Sequence, residues 1–489
     1  MADDKKHPDS ASELDQNNVD AIVDDAQNDV SDQKDADIYD DEGRIRSDFR
    51  KSVADTLDDD DVEALNQYVE GLHESELGDL IESLKPERRQ KLVELLGDSF
   101  DFAALTEVDE AIRVEIVDAI PNQDVARAIG EMDSDDAVFI LEDLDEEDRQ
   151  EILDYLPFIE RVRLKRSLDY PEDSAGRRMQ SEFVAVPPFW TIGQVIDYMR
   201  LDKDLPERFS QIFVIDATYK LVGDIELDRI LRTRRHVRAE DIMNDTIHPI
   251  PAQMDQEEAA ILFEQYDLLS AAVVDHNDRL VGVLTIDDVV DVIHEEAEED
   301  IKALAGVGDE ELSDNVFAAF KSRFTWLLIN LITSILASVI IGLFDATIQQ
   351  MVALAILMPI VASMGGNAGT QTMTVTVRAL AVKDLDIYNA GRIILREAAV
   401  GGLNGIIFAL LIGVVSAIWF SNIDLGIVIG IAMIINMFSA ALAGILLPLI
   451  LDKMGFDPAI SSTVFVTTVT DVIGFFAFLG LAGLWFGVI

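Results

Sequence analysis

Five long apolar blocks in the last third of the sequence constrain the fold more than any other feature. They cover roughly residues 324–344, 351–376, 398–420, 425–450 and 460–487. A helix needs about 20 apolar residues to cross the ~30 Å hydrocarbon core of a membrane, and each block meets that length. We therefore predict a multidomain integral membrane protein in which residues 321–489 form a transmembrane domain of five helices.

Charge is concentrated in the part of the chain that precedes these blocks. The 489 residues have a net charge of −54, yet residues 321–489 contain only seven Lys and Arg and eight Asp and Glu. A part this acidic repels nucleic acid, so we expect no nucleic-acid partner. The sequence has no Cys, which excludes disulfide scaffolds and thiolate metal sites.

The positions of Lys and Arg between the blocks predict the orientation in the membrane. Basic residues occur before the first block, between the second and third, and between the fourth and fifth. The two opposite loops have none, and loops rich in Lys and Arg normally face the cytoplasm. We therefore expect a multi-pass protein of the cell (inner) membrane, surrounded by lipid, with its N-terminus in the cytoplasm and its C-terminus outside.

The soluble part divides into four segments by composition and periodicity. Residues 1–51 are rich in Asp, Asn, Gln and Ser and predict a disordered acidic tail. Residues 52–178 have apolar residues at helical spacing with frequent helix stops, which predicts an all-α superhelical N-domain. Carboxylates at helical spacing predict one long helix over 288–312, and we assign 301–320 to a connecting helix that leads into the membrane.

The remaining soluble segment, residues 179–300, contains one unit twice. Each copy has a β-like run, a turn, a second run that begins Leu-Val-Gly, and a helix, with Leu221 and Leu280 in equivalent positions. This pattern resembles a tandem pair of α/β CBS domains, which usually regulate rather than catalyse. Thr285 and Asp288 resemble the Thr-x-x-Asp motif that holds ribose in nucleotide-binding CBS pairs, which makes ATP a candidate ligand. The alternative is that Thr285 caps the helix that follows it.

The few polar groups inside the apolar blocks indicate a path for a cation. Asp471 is the one carboxylate well inside the fifth block. We expect the second block to break at Pro359 and the Gly- and amide-rich stretch 365–371 to line a cavity with irregular backbone. No Lys, Arg or His is available there, so the ligands are oxygen atoms, which suit a hard cation such as Mg²⁺. We assign Asn330, Asn404 and Asn436 to interhelical hydrogen bonds.

Several motifs in a fixed order make the chain similar to the MgtE family of magnesium channels over roughly residues 55–489. They are Pro359 with Gly365-Gly366-Asn367-Ala368-Gly369-Thr370-Gln371, Arg378-Ala379-Leu380-Ala381, Arg396-Glu397, Asp457-Pro458-Ala459 and Thr468-Val469-Thr470-Asp471-Val472-Ile473-Gly474. The resemblance implies a homodimer with a pore between the subunits, lined by the second and fifth spans. In it, Asp471 would be the selectivity carboxylate that holds hydrated Mg²⁺. Asp457, Asn367, Gln371 and Glu397 would lie in the pore or at its mouth.

The resemblance also implies that cytosolic Mg²⁺ controls the pore. Bound ions would hold the N-domain, the CBS pair and the connecting helix in a closed state, and their loss would open it. The candidate regulatory ligands are Asp255, Glu257, Asp267, Asp288, Asp291, Glu296 and Glu299, with Asp135 and Asp136 in the N-domain.

Two alternatives remain open from the sequence. One is a broader divalent-cation transporter that also carries Co²⁺, Mn²⁺ or Ni²⁺, because oxygen ligands discriminate imperfectly. The other is a membrane-anchored CBS nucleotide sensor. We expect no enzymatic reaction, because the sequence has no nucleophile–base spacing, phosphate loop or zinc motif.

Overall fold

The computed structural model describes residues 38–40, 42–203, 205–206, 208–307, 316–383, 385 and 389–488. Residues 1–37 of the predicted acidic tail lie outside these ranges. The chain divides between Asp169 and Tyr170 into two units.

The first unit is built from short helices, as the sequence predicts. Helices α1–α9 span Ser47–Asp58, Val62–Val69, Glu74–Ser83, Pro86–Leu96, Glu110–Asp118, Asn122–Ile129, Ser134–Glu142, Glu146–Tyr155 and Phe158–Leu168. Two 3₁₀ turns, Gly97–Ser99 and Phe102–Leu105, follow α4. Pro86 occupies the first turn of α4, and Gly97 ends that helix with a φ of 51°. The apolar faces meet in one core that includes Leu80, Leu105 and Leu141.

Ordered structure begins earlier than the predicted end of the tail at residue 51. Helix α1 starts at Ser47, and Ile38 is buried. Phe49 packs edge-to-face on Tyr68, and the Tyr39 hydroxyl donates to Asp79 at 2.7 Å. The predicted boundary is therefore wrong for the described part of the tail. Its apolar residues are too widely spaced to give a periodic signal and are fixed by distant partners.

The two repeats form two sheets of the same topology. Helices α10–α13 span Ala175–Arg178, Ile192–Leu201, Leu227–Arg232 and Gln256–Tyr266. Strands β1–β6 span Ala185–Val186, Gln211–Ile215, Leu221–Glu226, Ile250–Pro251, Ser270–Val274 and Leu280–Thr285. In each sheet the first strand pairs parallel with the second, which pairs antiparallel with the third, in the orders β1-β2-β3 and β4-β5-β6.

Reciprocal contacts join the two sheets. The amide of Leu221 donates to the carbonyl of Asp278, and the amide of Leu280 donates to the carbonyl of Tyr219, at 3.1 and 3.0 Å. Both acceptor residues have positive φ, at 59° and 65°. Buried apolar residues of both copies, including Phe213 in the first, share one cluster. The repeat found in the sequence is thus a pseudo-symmetric pair.

A long helix, α14 (Ile286–Ala305), leaves the second sheet. It ends seven residues before the predicted end at 312, because Gly306 adopts a left-handed conformation with a φ of 70° and caps it. Residues 308–315 lie outside the described ranges. The predicted connecting helix over 301–320 is therefore wrong for the described residues: 301–305 end α14, and 316–320 begin the first membrane helix.

Six helices form the C-terminal part. Helices α15–α20 span Val316–Gly342, Asp345–Gln350, Ala353–Ala381, Ala390–Trp419, Ile423–Lys453 and Pro458–Trp485. Among the described residues five helices are long and apolar enough to cross a membrane, namely α15, α17, α18, α19 and α20. The five predicted spans are confirmed. Helix α19 has the largest buried share and lies at the centre of the bundle.

The second span does not break, contrary to the prediction. Helix α17 continues through Pro359 and through the stretch 365–371. The glycines allow close helix packing instead: a Cβ on Gly369 would lie 2.5 Å from Val466 of α20, and the Gly369 carbonyl approaches Gly444 of α19. Small residues let membrane helices approach closely, so this stretch serves packing and not irregular backbone.

Candidate ion pathway and carboxylate cluster

Asp471 lies on α20, which crosses α17 at its glycine-rich stretch. Gly366 of α17 faces the methyl group of Thr467, one helical turn before Asp471. Asp471 itself is half-buried. The structure therefore brings the two predicted pore helices into direct contact near this carboxylate.

Helix α17 has an exposed polar face inside the membrane segment. Asn367 and Gln371 are four residues apart and both are exposed. The same face continues in both directions with Ser363, Thr374 and Arg378. Polar groups are costly in hydrocarbon, so a face of this kind needs protein or water against it.

Glu397 is separated from that face. It is buried near the start of α18, and its Oε1 accepts from the Arg396 guanidinium at 2.7 Å. The structure does not bring it together with Asn367 and Gln371.

A cluster of carboxylates connects the second repeat to the start of α20. Glu257 comes from the first turn of α13, Glu296 and Asp300 from α14, and Asp457 from the residue before α20. Burial, followed by the negative charges of Glu296, Asp300, Asp255 and Asp457, raises the pKa of Glu257 from 4.5 to about 7. Negative charges therefore repel one another where α13, α14 and the start of α20 meet.

The pKa values of Glu296 and Asp300, which lie near Glu257, are raised as well. Burial, with Asp255 among the acids nearby, raises the pKa of Glu296, although Gln256 donates to it at 2.6 Å and acts against this. Burial and then Asp457 raise the pKa of Asp300, and Arg378 acts against them. Among the described residues no three acids or histidines are close enough to form a metal site. The cluster is nevertheless an all-oxygen donor set with excess negative charge, which a dication would neutralise.

Two polar contacts that need no metal hold α13 and α14 against the membrane helices α17 and α20 beside the cluster. Lys383, which follows α17, forms a 2.8 Å ion pair with Glu258 of α13. The Thr463 hydroxyl of α20 donates to the carbonyl of Leu304 at the end of α14, at 2.7 Å. Around this contact Ala303 packs with apolar residues of α17 and α20, namely Met373, Val377, Ala459 and Val466. Movement of α14 would therefore act directly on the C-terminal end of α17 and the N-terminal end of α20, the two candidate pore helices.

Asp255 and Asp267 lie at the two ends of α13. Asp255 caps the helix and accepts from the Glu257 amide at 3.0 Å. Asp267 is exposed at the C-terminal end, with a φ of 52°. The structure places Asp255 with the cluster and Asp267 apart from it.

Asp288 and Asp291 lie at the start of α14. The Thr285 hydroxyl donates to the Asp288 carboxylate, and the two residues form a capping box, as the alternative interpretation of this motif predicts. Burial raises the pKa of Asp288 to about 7 in spite of these hydrogen bonds. Burial and then Asp287 raise the pKa of Asp291. These acids form a second group, near the sheet and away from the membrane end of α14.

The other candidates are dispersed. Glu299 is exposed on α14. Asp135 and Asp136 lie in the first turn of α7 in the first unit and are partly buried.

Sequence reasoning missed three residues at the junction. Asp300 could have been found, because it follows Glu296 by one turn on the same face of α14. No sequence pattern predicts the contacts of Lys383 and Thr463, because their partners lie 125 and 159 residues away in the chain.

Curated proteins with similar sequences include three that are named magnesium transporter MgtE. The Enterococcus faecalis protein is 34% identical over 322 residues, which are 66% of this chain and 71% of that protein. The Bacillus subtilis protein is 30% identical over 77% of this chain and 84% of its own length. The Thermus thermophilus protein is 32% identical over 88% of this chain and 97% of its own length. The chain belongs to the MgtE family.

Family models agree with this assignment region by region. The MgtE model, described as a divalent cation transporter, matches residues 358–481. The model of the MgtE intracellular N domain matches 72–173, and the CBS model matches 239–295. The crystal structure of the cytosolic domain of the Mg²⁺ channel MgtE in complex with ATP is 30% identical, covers 50% of this chain and 99% of that one, and has a TM-score of 0.47. This MgtE protein is thus a multi-pass member of a transporter family, which is not a class of enzymes.

Proposed function

We propose that this MgtE protein is a Mg²⁺-selective channel of the cell (inner) membrane, with its N-terminus in the cytoplasm, and that cytosolic Mg²⁺ closes it. The relatives' names support Mg²⁺ as the transported ion. The oxygen ligands of the membrane segments support a hard cation, and Asp471 is the residue that would select it.

The carboxylate cluster is the observation on which the control by Mg²⁺ rests. Glu257 and Asp300 belong to the cytosolic part, whereas Asp457 immediately precedes the helix that contains Asp471. Without a cation the like charges repel, which favours separation of α13 and α14 from the membrane helices. A bound dication reverses this repulsion and favours the arrangement described above. We assign that docked arrangement to the closed state.

The exposed polar face of α17 supports a homodimer. A second copy placed against Asn367 and Gln371 would cover this face and leave a hydrated path between the subunits. Two copies of Asp471 would then share one hydrated Mg²⁺, which is normally held by one or two carboxylates with its water shell kept.

The test is Mg²⁺ uptake by the full chain in proteoliposomes, with Mg²⁺ varied on the cytoplasmic side. We expect uptake by the wild type to fall as cytoplasmic Mg²⁺ rises. Asp471→Asn should abolish uptake, whereas Asp424→Asn, an exposed acid at the other end of the membrane helices, should retain it. Wild-type uptake by Asp471→Asn would refute the assignment of the selectivity carboxylate.

Two narrower questions belong to the same assay. Competition of Co²⁺, Mn²⁺ or Ni²⁺ with Mg²⁺ uptake tests the broader divalent transporter, because a selective site predicts weak competition. ATP at the CBS pair stays a prediction. Tight ATP binding without ion flux would favour the nucleotide-sensor alternative.

A further inference from the structure

Asn436 lies at the centre of the membrane bundle and is fully buried. It belongs to α19, the central helix, and its Nδ2 donates to the carbonyl of Val361 on α17 at 2.7 Å. Its Oδ1 is buried and has no hydrogen-bond partner among the described residues. A single amide group thus ties two membrane helices together and leaves its acceptor unused.

Two glycines enclose this amide from opposite helices. On α17, a Cβ at Gly365 would overlap with the amide group of Asn436. On α20, a Cβ at Gly474 would lie 2.9 Å from Nδ2 of Asn436, closer than real Cβ contacts. The Asn436 side chain therefore fills a slot between α17 and α20 that exists only because both facing residues are glycines.

The slot lies within one helical turn of residues on both candidate pore helices. Gly474 follows Asp471 by three residues on α20, and Gly365 precedes Asn367 by two residues on α17. Whatever sets the distance between the two glycines also sets the distance between the helices that contain the acid and the exposed amides. Mg²⁺ demands near-ideal octahedral geometry, so this distance determines how well a hydrated ion fits.

We propose that Asn436 is a positioning residue that sets the spacing of α17 and α20 and thereby the cation selectivity at Asp471. This inference rests on the proposed function, in which Asp471 selects the transported ion. The side chain acts both as a spacer, through its contacts with Gly365 and Gly474, and as a tie, through the bond to Val361. It does not contact the ion.

A purely structural role predicts a different outcome. An amide that only held the fold together would lower stability and the amount of active protein when removed, without changing which ions pass. Because Oδ1 is unpaired, truncation to Ala removes one hydrogen bond but also one unsatisfied acceptor, so we expect the fold to survive. Selectivity is therefore the readout that separates the two roles.

The experiment compares Asn436→Ala, Gly474→Ala and the double variant in proteoliposomes. The ratio of Mg²⁺ to Co²⁺ uptake is measured for each, with thermal unfolding as a check of folding. We expect each single variant to lower this ratio about tenfold, since displacements of ~1 Å at a site can cost up to ~100-fold. The double variant should recover much of the wild-type ratio, because the methyl group added at residue 474 enters the space that the amide of Asn436 vacates. Gly402→Ala, at a position where an added Cβ meets nothing within 4 Å, is the matched control and should keep the wild-type ratio.

Two results would overturn the inference. One is a wild-type ratio in both single variants, and the other is a double variant no better than the worse single one. If Asn436→Ala fails to fold, Gly474→Ala against Gly402→Ala decides the question. A different result would refute the proposed function. That result is wild-type transport by Asp471→Asn, and it does not depend on the outcome for the glycine variants.

Discussion

Acidification of the cytoplasmic side in the absence of Mg²⁺ is expected to favour the docked arrangement of α13 and α14 against the membrane helices. Glu257 has the largest shift among the acids at the junction, because its pKa in the docked state is about 7 and its ordinary value is 4.5, and the pKa values of Glu296 and Asp300 are raised in the same direction. A raised pKa means that the docked state binds the proton more tightly. This contribution to docking is complete below the ordinary pKa and is lost as the pH rises through about 7.

The size of the effect follows from the shift and from the exposure of the side chain. Each pKa unit corresponds to about 1.36 kcal/mol. Glu257 is only half-buried, so solvent screening reduces the full value, and we expect about 1 to 2 kcal/mol. Between a pH of about 8 and the ordinary pKa of 4.5, the ratio of docked to undocked molecules should therefore rise roughly 5- to 30-fold.

The absence of Cys makes a direct assay feasible. Fluorophores attached at Glu264→Cys on α13 and Lys453→Cys at the end of α19, both exposed positions, would report docking by energy transfer across the pH range. Glu257→Gln should remove most of the pH dependence, and Glu298→Gln on the exposed face of α14 should preserve it. A docked fraction that does not change with pH, or changes equally in Glu257→Gln, would refute the reasoning.

Three further perturbations test other contacts. Lys383→Gln removes a half-exposed ion pair worth up to about 1 kcal/mol, so the cytoplasmic Mg²⁺ that half-inhibits uptake should rise two- to fivefold. The exchange Lys383→Glu with Glu258→Lys should restore it, and no restoration would contradict a direct pair. Thr463→Val loses the bond to Leu304, worth about 1 kcal/mol, and should weaken inhibition by Mg²⁺ to a similar extent without loss of maximal uptake. In the first unit, Arg113→Ala breaks the buried ion pair between Arg113 and Asp143, whose Nε and Oδ2 atoms lie 2.6 Å apart. We expect the variant to destabilise that unit by about 3–5 kcal/mol, measured as a lower melting temperature of the full chain. An unchanged melting temperature would show that the pair contributes little to stability.

The exposure of Asn330 and Asn404 shows where sequence reasoning reached its limit inside the membrane. The prediction of interhelical hydrogen bonds is confirmed for Asn436. Asn330 and Asn404 instead lie on exposed faces of α15 and α18, and among the described residues neither side chain bonds to another helix. An apolar block in which nearly every position is hydrophobic has no amphipathic signal, so the face that turns inward cannot be read from it.

The glycine-rich stretch of α17 is a second case in which the sequence did not predict the structure inside the membrane. Its Gly and amide residues correctly indicated that the segment does not simply face lipid. The sequence could not show whether these residues form irregular backbone or allow close helix packing. That distinction depends on Val466 and Gly444, which belong to other helices. The membrane environment decides in favour of the helix, since its backbone groups must bond within the segment.

The sequence by itself determined the features that local pattern controls. The number of spans, the repeat of the two sheets, the short helices of the first unit and the acidity of α14 all follow from hydrophobic periodicity and composition over a few tens of residues. Tertiary structure alone decided which acids meet. Glu257, Asp300 and Asp457 lie far apart in the chain and come together because α13, α14 and α20 converge at one junction. The charge and burial around a residue depend on its neighbours in space. The altered pKa of Glu257 and the coupling of α13 and α14 to the membrane helices therefore exist only in the folded protein.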